Sequence, residues 1–436
     1  MSDAPSAHES GAVVLFPCQA SVPLGSDASW PGWSRGALRS IPDIDGQRSH
    51  ERTDRGRVFP PQVLDVLYQD RWHRSLDPAE AAGLLDGDCT PIALELWRFG
   101  SHGWSDTLEA LSGDLPWRRR PPDALCALHL ATDDARALDA FLTRADQAQV
   151  ARAVNELLGP AGQVRVETRS VIDADGALAD PDAEGHTRPD QLDLADASEM
   201  PLVIAFTIAH DARDATAVAW DLLARPADVP LDAIASAGGW TAVAYPDAVA
   251  VGATPATSPY RPHNRSGWAV RSFLADALAL RFAERLAVQE LSRRVPLIDA
   301  AHSPKDARRL HQLGLTARSR LTWPVVAVEP WVADIADAWA SRWRVDALAA
   351  EVYDELELLA SEAAQTLASR LNVLLLVLAV VTVIVGLPAA LGVEDTRWAA
   401  VAATTSGVVV LAALAVNTGL ASRLRTRRSA ARRGHR

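Results

Sequence analysis

Lysine and cysteine are scarce in this 436-residue chain, and their scarcity excludes several kinds of site. Lys305 is the only lysine and follows Pro304, which excludes a G-x-x-x-x-G-K phosphate-binding loop and a kinase-type lysine. The three cysteines, Cys18, Cys89 and Cys126, are too far apart in sequence to make a zinc spacing. Because we expect a cytosolic placement, we expect no disulfides either.

The sequence also lacks a basic N-terminal region and an excess of positive charge. Residues 1–10 contain no Lys or Arg, and the apolar run at 12–16 is too short for a signal peptide. The formal net charge is −12; the seven arginines after Ser422 contribute +7, so the rest of the chain carries −19. We therefore expect no nucleic-acid partner.

Charged side chains are missing from two long runs near the C-terminus. Leu371–Val393 has 23 residues and Trp398–Ser422 has 25, with only Glu394–Arg397 between them. A helix of the first length, 23 residues, extends ~34 Å and can cross a hydrocarbon core of ~30 Å. The sequence therefore predicts a two-helix transmembrane hairpin, the alternative being a buried hairpin inside a large core.

The arginines predict the orientation of this hairpin. The tail at 423–436 contains seven arginines, whereas the turn between the runs contains one, Arg397. Because basic flanks stay in the cytoplasm, we expect a multi-pass inner-membrane protein with both termini cytoplasmic. Membrane lipid is then a partner, and the tail also suits anionic headgroups.

Small residues in the second run predict contact between helices. Ala403 and Gly407 are four residues apart on one helix face, and Ala399 lies in the same small-residue stretch. We expect this face to pack in a homo-oligomer. Asn372 and Asn417 are both expected toward one side of the membrane, where they either hydrogen-bond to each other or contact water.

The rest of the chain divides into a loop-rich segment at 1–60, an α/β (or α+β) cytosolic domain at 61–260 and a helical stalk at 261–370. Alternating or fully apolar runs predict strands, and Pro246-Asp247 predicts a hairpin turn. The predicted strands are Ala12–Cys18, Pro91–Phe99, Ala124–Ala131, Gln163–Ile172, Pro201–Ala209, Trp240–Tyr245 and Ala248–Gly252. The predicted helices are Val63–Tyr68, Pro78–Leu85, Ser105–Leu111 capped by Ser105 or Asp106, a stretch from Asp133 or Asp134 to Leu158, and Asp211–Leu223.

Helical spacing dominates the stalk. Ser266–Val295 and Ser303–Ala317 are predicted helices. From Trp331 to Arg370 no Pro or Gly interrupts an apolar stripe, and the acidic residues lie largely off that stripe. This pattern predicts one amphipathic helix of ~60 Å that enters the first apolar run.

Four patterns could carry chemistry, and each has a simpler interpretation. Ser34 in Gly32–Gly36 fits G-x-S-x-G, but the strand and helix that a nucleophile elbow needs are not predicted around it. His210 with Asp211 and Asp214 could hold a metal, although Asp211 as a helix cap is the simpler interpretation. Gly100–Gly103 could hold an anion or form a plain turn. The acidic stalk face could attract a divalent cation between subunits, or it is solvated. We therefore expect no enzyme activity and no cofactor, a divalent cation being the alternative.

The layout over residues 240–436 resembles that of the CorA-type magnesium transporters: a helical stalk, a span, a very short outer turn, a second span and a basic tail. The resemblance implies a pentameric funnel. The family's Gly-Met-Asn is absent, and Gly386-Leu387-Pro388 stands nearby, so no ion-filter residue is carried over. Effectors and adaptors of bacterial signalling or defence systems also combine a cytosolic module with a two-span C-terminus.

These features predict a non-enzymatic membrane protein. Its cytosolic domain senses or binds a partner protein, and the stalk transmits that state to an oligomer of hairpins. The alternatives are a CorA-like divalent cation channel or transporter and a membrane-tethered hydrolase.

Overall fold

A computed structural model shows two compact units in this chain. Unit 1 comprises Met1–Arg293 and Gly314–Val352, and unit 2 comprises Arg294–Leu313 and Tyr353–Arg436. The structure describes residues 9–20, 32–36, 56–81, 84–85, 89–100, 104–111, 121–132, 144–164, 201–208, 234–237, 240–244, 248–253 and 266–390, with 401, 404 and 407.

Unit 1 contains a ten-stranded mixed sheet in the order β2-β3-β4-β5-β1-β7-β10-β9-β8, with β6 paired to β1. Among the described strands, only β7 and β10 pair in parallel, and the other pairs are antiparallel. Because β1 has neighbours on both sides and buried faces, it is apolar along most of its length. The strands are β1 Glu9–Ala20, β2 Ser34–Arg35, β3 Arg71–Ser75, β4 Thr90–Arg98, β5 Ala124–Thr132, β6 Gly162–Val164, β7 Leu202–Ile208, β8 Ile234–Ala237, β9 Trp240–Ala244 and β10 Ala248–Ala253.

The two faces of the sheet differ in chemistry. One face is mostly apolar and includes Phe16, Leu94, Cys126 and Leu128, which form one buried cluster with Val154. Alternation along the strands places Arg71, Glu95 and His129 on the opposite face. The Arg71–Glu95 ion pair therefore lies on the face opposite the apolar cluster.

The helices are α1 Pro61–Gln69, α2 Pro78–Ala81, α3 Trp104–Leu111, α4 Arg144–Leu158, α5 Ser266–Ala269, α6 Ala275–Arg294, α7 Pro304–Leu321, α8 Pro330–Arg342 and α9 Val345–Ala390. A π-helical turn, Val270–Leu274, joins α5 to α6. The α8 helix packs on β8 and β9, where Trp331 stacks on Trp240 at 4.2 Å between ring centroids. On α6, Phe282 meets Trp339 of α8 edge to face. Helix α6 is therefore buried within unit 1 along nearly its whole length.

The predicted continuous helix from Trp331 to Arg370 is wrong, because the chain breaks between α8 and α9. Arg344 has φ 50°, a left-handed conformation that ends α8. The preceding Trp343 is buried, and the Arg285 guanidinium lies 3.2 Å from the centroid of its ring. This cation–π contact holds the buried Trp343 against α6 directly before the left-handed residue.

Unit 2 contains the start of α7 and most of α9. In α9 the stripe residues Leu356, Leu359 and Ala363 are buried, whereas Glu357 and Glu362 are exposed. The amphipathic stripe is therefore confirmed for this part of the helix, although the Trp331–Arg370 stretch is two helices rather than one.

Most predicted elements are confirmed with shifted ends, and some were missed. The structure contains the predicted hairpin of β9 and β10 and the strands within residues 12–18, 91–99, 124–131 and 201–209. It also contains the helices predicted near residues 63–68, 105–111, 266–295 and 303–317. Ser105 or Asp106 as a cap is wrong, because α3 already includes Trp104. Strands β2, β3 and β8 were not predicted, and β2 lies inside the segment interpreted as a loop. Three predicted segments lie outside the described residues: the helix at 211–223, residues 165–172 of the strand predicted at 163–172, and most of the second apolar run.

Candidate functional site

Three neighbouring strands of unit 1 each contribute one polar side chain to a buried group. Arg71 of β3 donates from Nε and Nη2 to the two carboxylate oxygens of Glu95 on β4, at 3.0 and 2.8 Å. The Nε2 of His129 on β5 lies 3.0 Å from Oε2 of the same carboxylate. The register places these residues diagonally across the strands, since His73 is opposite Glu95 and Ala93 is opposite His129.

Helix α6 closes the group from the other side. The Oδ1 of Asp276, in the first turn of α6, lies 2.6 Å from Nη2 of Arg71. Arg71 therefore joins two carboxylates, one from the sheet and one from the helix. The exposed fractions are 5% for Arg71, 3% for Glu95, and 0% for His129 and Asp276, so bulk water does not reach the group. We call these four residues the buried network.

The π-helical turn places a second guanidinium beside the buried network. Arg271 donates from Nη2 to the carbonyl oxygen of Leu130 at 2.6 Å, and its Cζ lies 4.7 Å from the centroid of the Phe206 ring. A Cβ at Gly11 would lie 2.2 Å from Arg271 Nη2 and 2.5 Å from the Leu130 carbonyl oxygen. Glycine at position 11 therefore makes the room in which Arg271 reaches the sheet. π-turns of this kind are common at functional sites.

The charges of the group balance. Burial alone would lower the pKa of Arg71, but Asp276 and Glu95 raise it above its ordinary value. Burial alone would raise the pKa of Glu95, but Arg71 and then His129 hold it well below its usual range. Together with the neighbouring Arg271, the group contains two guanidinium groups and two carboxylates, so its formal charge is zero when the imidazole is neutral.

His129 is the residue of this group whose charge can change near neutral pH. Burial lowers the pKa of His129; the hydrogen bond to Glu95 opposes that effect, and Arg271 and Arg71 add to it. Its Nδ1 is buried and, within the described part of the chain, has no hydrogen-bond partner. A proton added at Nδ1 would therefore be buried without an acceptor.

Stability is expected to fall as the pH is lowered from about 7 to about 5, partly because of His129. The folded chain holds this imidazole at a lower pKa than the unfolded chain does, so the unfolded state binds more protons in this range. The contribution to the slope is at most about 1.4 kcal/mol per pH unit. Thermal unfolding of the purified full-length protein across this range measures it.

The matched variant for this prediction is His129→Gln, which keeps an amide near Glu95 and removes the titration. Its Tm is expected to depend less on pH than that of the original chain. The raised pKa of Glu284 acts in the opposite direction, but it is present in both proteins and cancels in the comparison. Equal pH slopes would show that His129 does not titrate on unfolding.

A second charged group links α6 to the start of α9, within unit 1. Arg281 of α6 lies 3.0 Å from Glu284, 2.9 Å from Asp337 of α8 and 3.5 Å from Asp346 in the first turn of α9. Helix α6 therefore carries the Asp276 contact with the sheet and the Arg281 contact with the first turn of α9. Arg285 of α6 also contacts Trp343, the residue that follows α8.

The residues predicted from motifs are not part of the buried network. Ser34 lies inside the two-residue strand β2, opposite His73. The amide of Gly100 donates to the carbonyl oxygen of Asp123 at 2.9 Å, so this amide is not available to bind an anion there. His210, Asp211 and Asp214 lie outside the described residues. In the described part of the chain, no three His, Cys, Asp or Glu residues are grouped to hold a metal ion.

The apolar part of α9 is the other distinctive feature. By length and composition Val345–Ile384 is long and apolar enough to cross a membrane, and none of its most apolar 18-residue window is buried. Large apolar side chains, among them Leu375, Leu376 and Leu378, are each more than half exposed. A core helix of a soluble protein would bury such residues, so this exposure indicates membrane association.

The structure describes few of the residues predicted to pack within the membrane. Asn372 is exposed on α9, and Gly407 is helical with no atom within 4 Å of an added Cβ. Ala399, Ala403 and Asn417 lie outside the described residues. The two-helix hairpin and the predicted packing of its second run therefore stay predictions.

The described fold defines an α/β protein with a buried ionic group under a π-helical turn and one long apolar helix. No family model, curated protein or solved structure matches this chain.

Proposed function

We propose that this chain is an integral inner-membrane protein whose α/β region senses or binds a partner protein. The exposed apolar continuation of α9 carries the proposal, because those side chains need a hydrocarbon environment. The second apolar run and the basic tail support a hairpin with both termini in the cytoplasm.

The coupling element in this proposal is helix α6. Its first turn contacts the sheet through Asp276, and Arg281, five residues later, contacts α8 and the first turn of α9. A partner that changes the sheet region would shift α6, and α9 would pass that shift toward the membrane. The contacts are a connected physical path; measured coupling would establish the mechanism.

An oligomer of hairpins is part of the same proposal. We expect the protein to stay in the membrane pellet after an alkaline carbonate wash. After mild detergent extraction, light scattering is expected to give a protein mass of several 46.7 kDa chains. Full recovery in the soluble fraction would overturn membrane insertion, and a strict monomer at all concentrations would overturn the oligomer. If the same purified protein, reconstituted into liposomes, carried a flux of divalent cations, that result would instead favour the CorA-like alternative.

A further inference from the structure

A hydrogen bond in unit 2 locates one loop at the start of the apolar run. Arg370 is the last charged residue before that run, and its Nη2 donates to the carbonyl oxygen of Ala301 at 2.7 Å. The next residue, Leu371, is 59% exposed. If α9 enters the bilayer at this point, the loop at 299–303 lies at the level of the lipid headgroups.

Internal hydrogen bonds hold this loop in shape. Asp299 accepts hydrogen bonds from the backbone amides of Ala301 and His302 at 2.9 and 3.2 Å, and its Oδ2 lies 2.5 Å from Nδ1 of His302. Burial alone would raise the pKa of Asp299, but the hydrogen bonds from His302 and Ala301 lower it. The carboxylate of Asp299 is therefore engaged within the loop.

Helix α7 begins directly after this loop with an exposed basic face. Lys305, Arg308 and Arg309 are exposed and follow the i, i+3, i+4 spacing that places side chains on one side of a helix. The opposite side of α7 is buried through Ala307 and Leu310. The three cations therefore project away from the packed side, within two turns of the loop that Arg370 holds.

We propose that Lys305, Arg308 and Arg309 form a docking surface for the phosphate groups of anionic phospholipids. This inference rests on the proposed membrane insertion of α9, which sets the level of the loop. Arginine and lysine bind phosphate oxygens well, and basic segments beside a span are attracted to an anionic leaflet. The surface would fix α7 against the membrane next to the point where α9 enters it.

Native mass spectrometry of the full-length protein, equilibrated in detergent with equal amounts of phosphatidylglycerol and phosphatidylcholine, tests this surface. The original chain is expected to retain phosphatidylglycerol in preference. Arg308→Gln/Arg309→Gln is expected to lower that preference by at least about fivefold, the effect of one basic side chain near a charged surface. The Arg-rich tail contributes equally in every variant, so it does not affect the comparison.

The matched control is Arg152→Gln/Arg318→Gln, which removes the same charge from exposed positions outside unit 2. It is expected to keep the preference of the original chain. Equal preference in all three proteins would overturn the docking surface. Displacement of the lipid by inorganic phosphate would also overturn it, because the surface would then bind a free anion. A chain that does not insert into membranes would overturn the proposed function as well, whereas insertion without headgroup preference would overturn the docking surface alone.

Discussion

Replacing Glu95 with alanine is expected to lower the free energy of unfolding by about 3–5 kcal/mol, because it leaves buried charge unpaired. Arg71 loses both hydrogen bonds to Glu95 and, among the described residues, keeps the Asp276 carboxylate as its ion-pair partner, and His129 Nε2 loses its hydrogen-bond partner. For a unit of this size we expect the Tm to fall by about 10 °C. Thermal unfolding of the detergent-solubilised full-length protein, followed by tryptophan fluorescence, measures the change.

Two further variants separate the charge from the loss of side-chain volume. Glu95→Gln keeps the shape and one acceptor, and we expect it to lower the Tm less than alanine does. Glu109→Ala removes an exposed carboxylate from α3, and we expect it to change the free energy of unfolding by no more than about 0.5 kcal/mol. If Glu95→Ala unfolded at the same temperature as Glu109→Ala, the buried network would contribute no stability.

Placing two arginines in the exposed apolar part of α9 is expected to prevent this segment from entering the bilayer. Each arginine near the centre of a span costs about 2.5–3.5 kcal/mol of insertion free energy, so Leu376→Arg/Val380→Arg costs about 6 kcal/mol. A Thr382→Cys substitution reports the position of the segment, since Cys18, Cys89 and Cys126 are buried. In intact membranes, a membrane-impermeant thiol reagent is expected to label position 382 at least about tenfold faster when both arginines are present.

The matched control for this experiment is Glu351→Arg/Glu355→Arg, which adds two arginines at the same spacing on the exposed acidic face of α9. Labelling at position 382 is expected to stay as slow as with Thr382→Cys alone. Fast labelling without any added arginine would show that the apolar run lies in water. The reporter measures the first run directly, so the result does not depend on whether Trp398–Ser422 also spans the membrane.

The clearest predicted strands were those whose sequence is apolar on both faces. The strands β5 and β7, predicted from the runs 124–131 and 201–209, lie near the centre of the described sheet, and such apolar runs are typical of buried strands. The strand Arg71–Ser75 was missed because its sequence is RWHRS, in which Trp72 alone is large and apolar. Its polar character has a tertiary cause, since Arg71 faces Glu95 and Asp276.

The buried network could not be predicted because its members are far apart in sequence. Glu95 and His129 each lie inside an apolar strand, and Asp276 lies in a helix whose apolar spacing dominated the interpretation. A single charge inside an otherwise apolar run was the available signal. A buried charge needs a partner, but a sequence does not tell which strand or helix supplies it. Register and helix placement brought Arg71, Glu95, His129 and Asp276 together.

By itself the sequence determined the alternation of strands and helices, the amphipathic stripe of α9 and the uncharged run that follows it. These features depend on local periodicity and composition, which are properties of neighbouring residues. Only the tertiary structure decided the strand order, the break at Arg344 and the pairing of buried charges across the sheet and α6. Those features depend on contacts between distant segments, where burial makes an unpaired charge or an unfilled space costly.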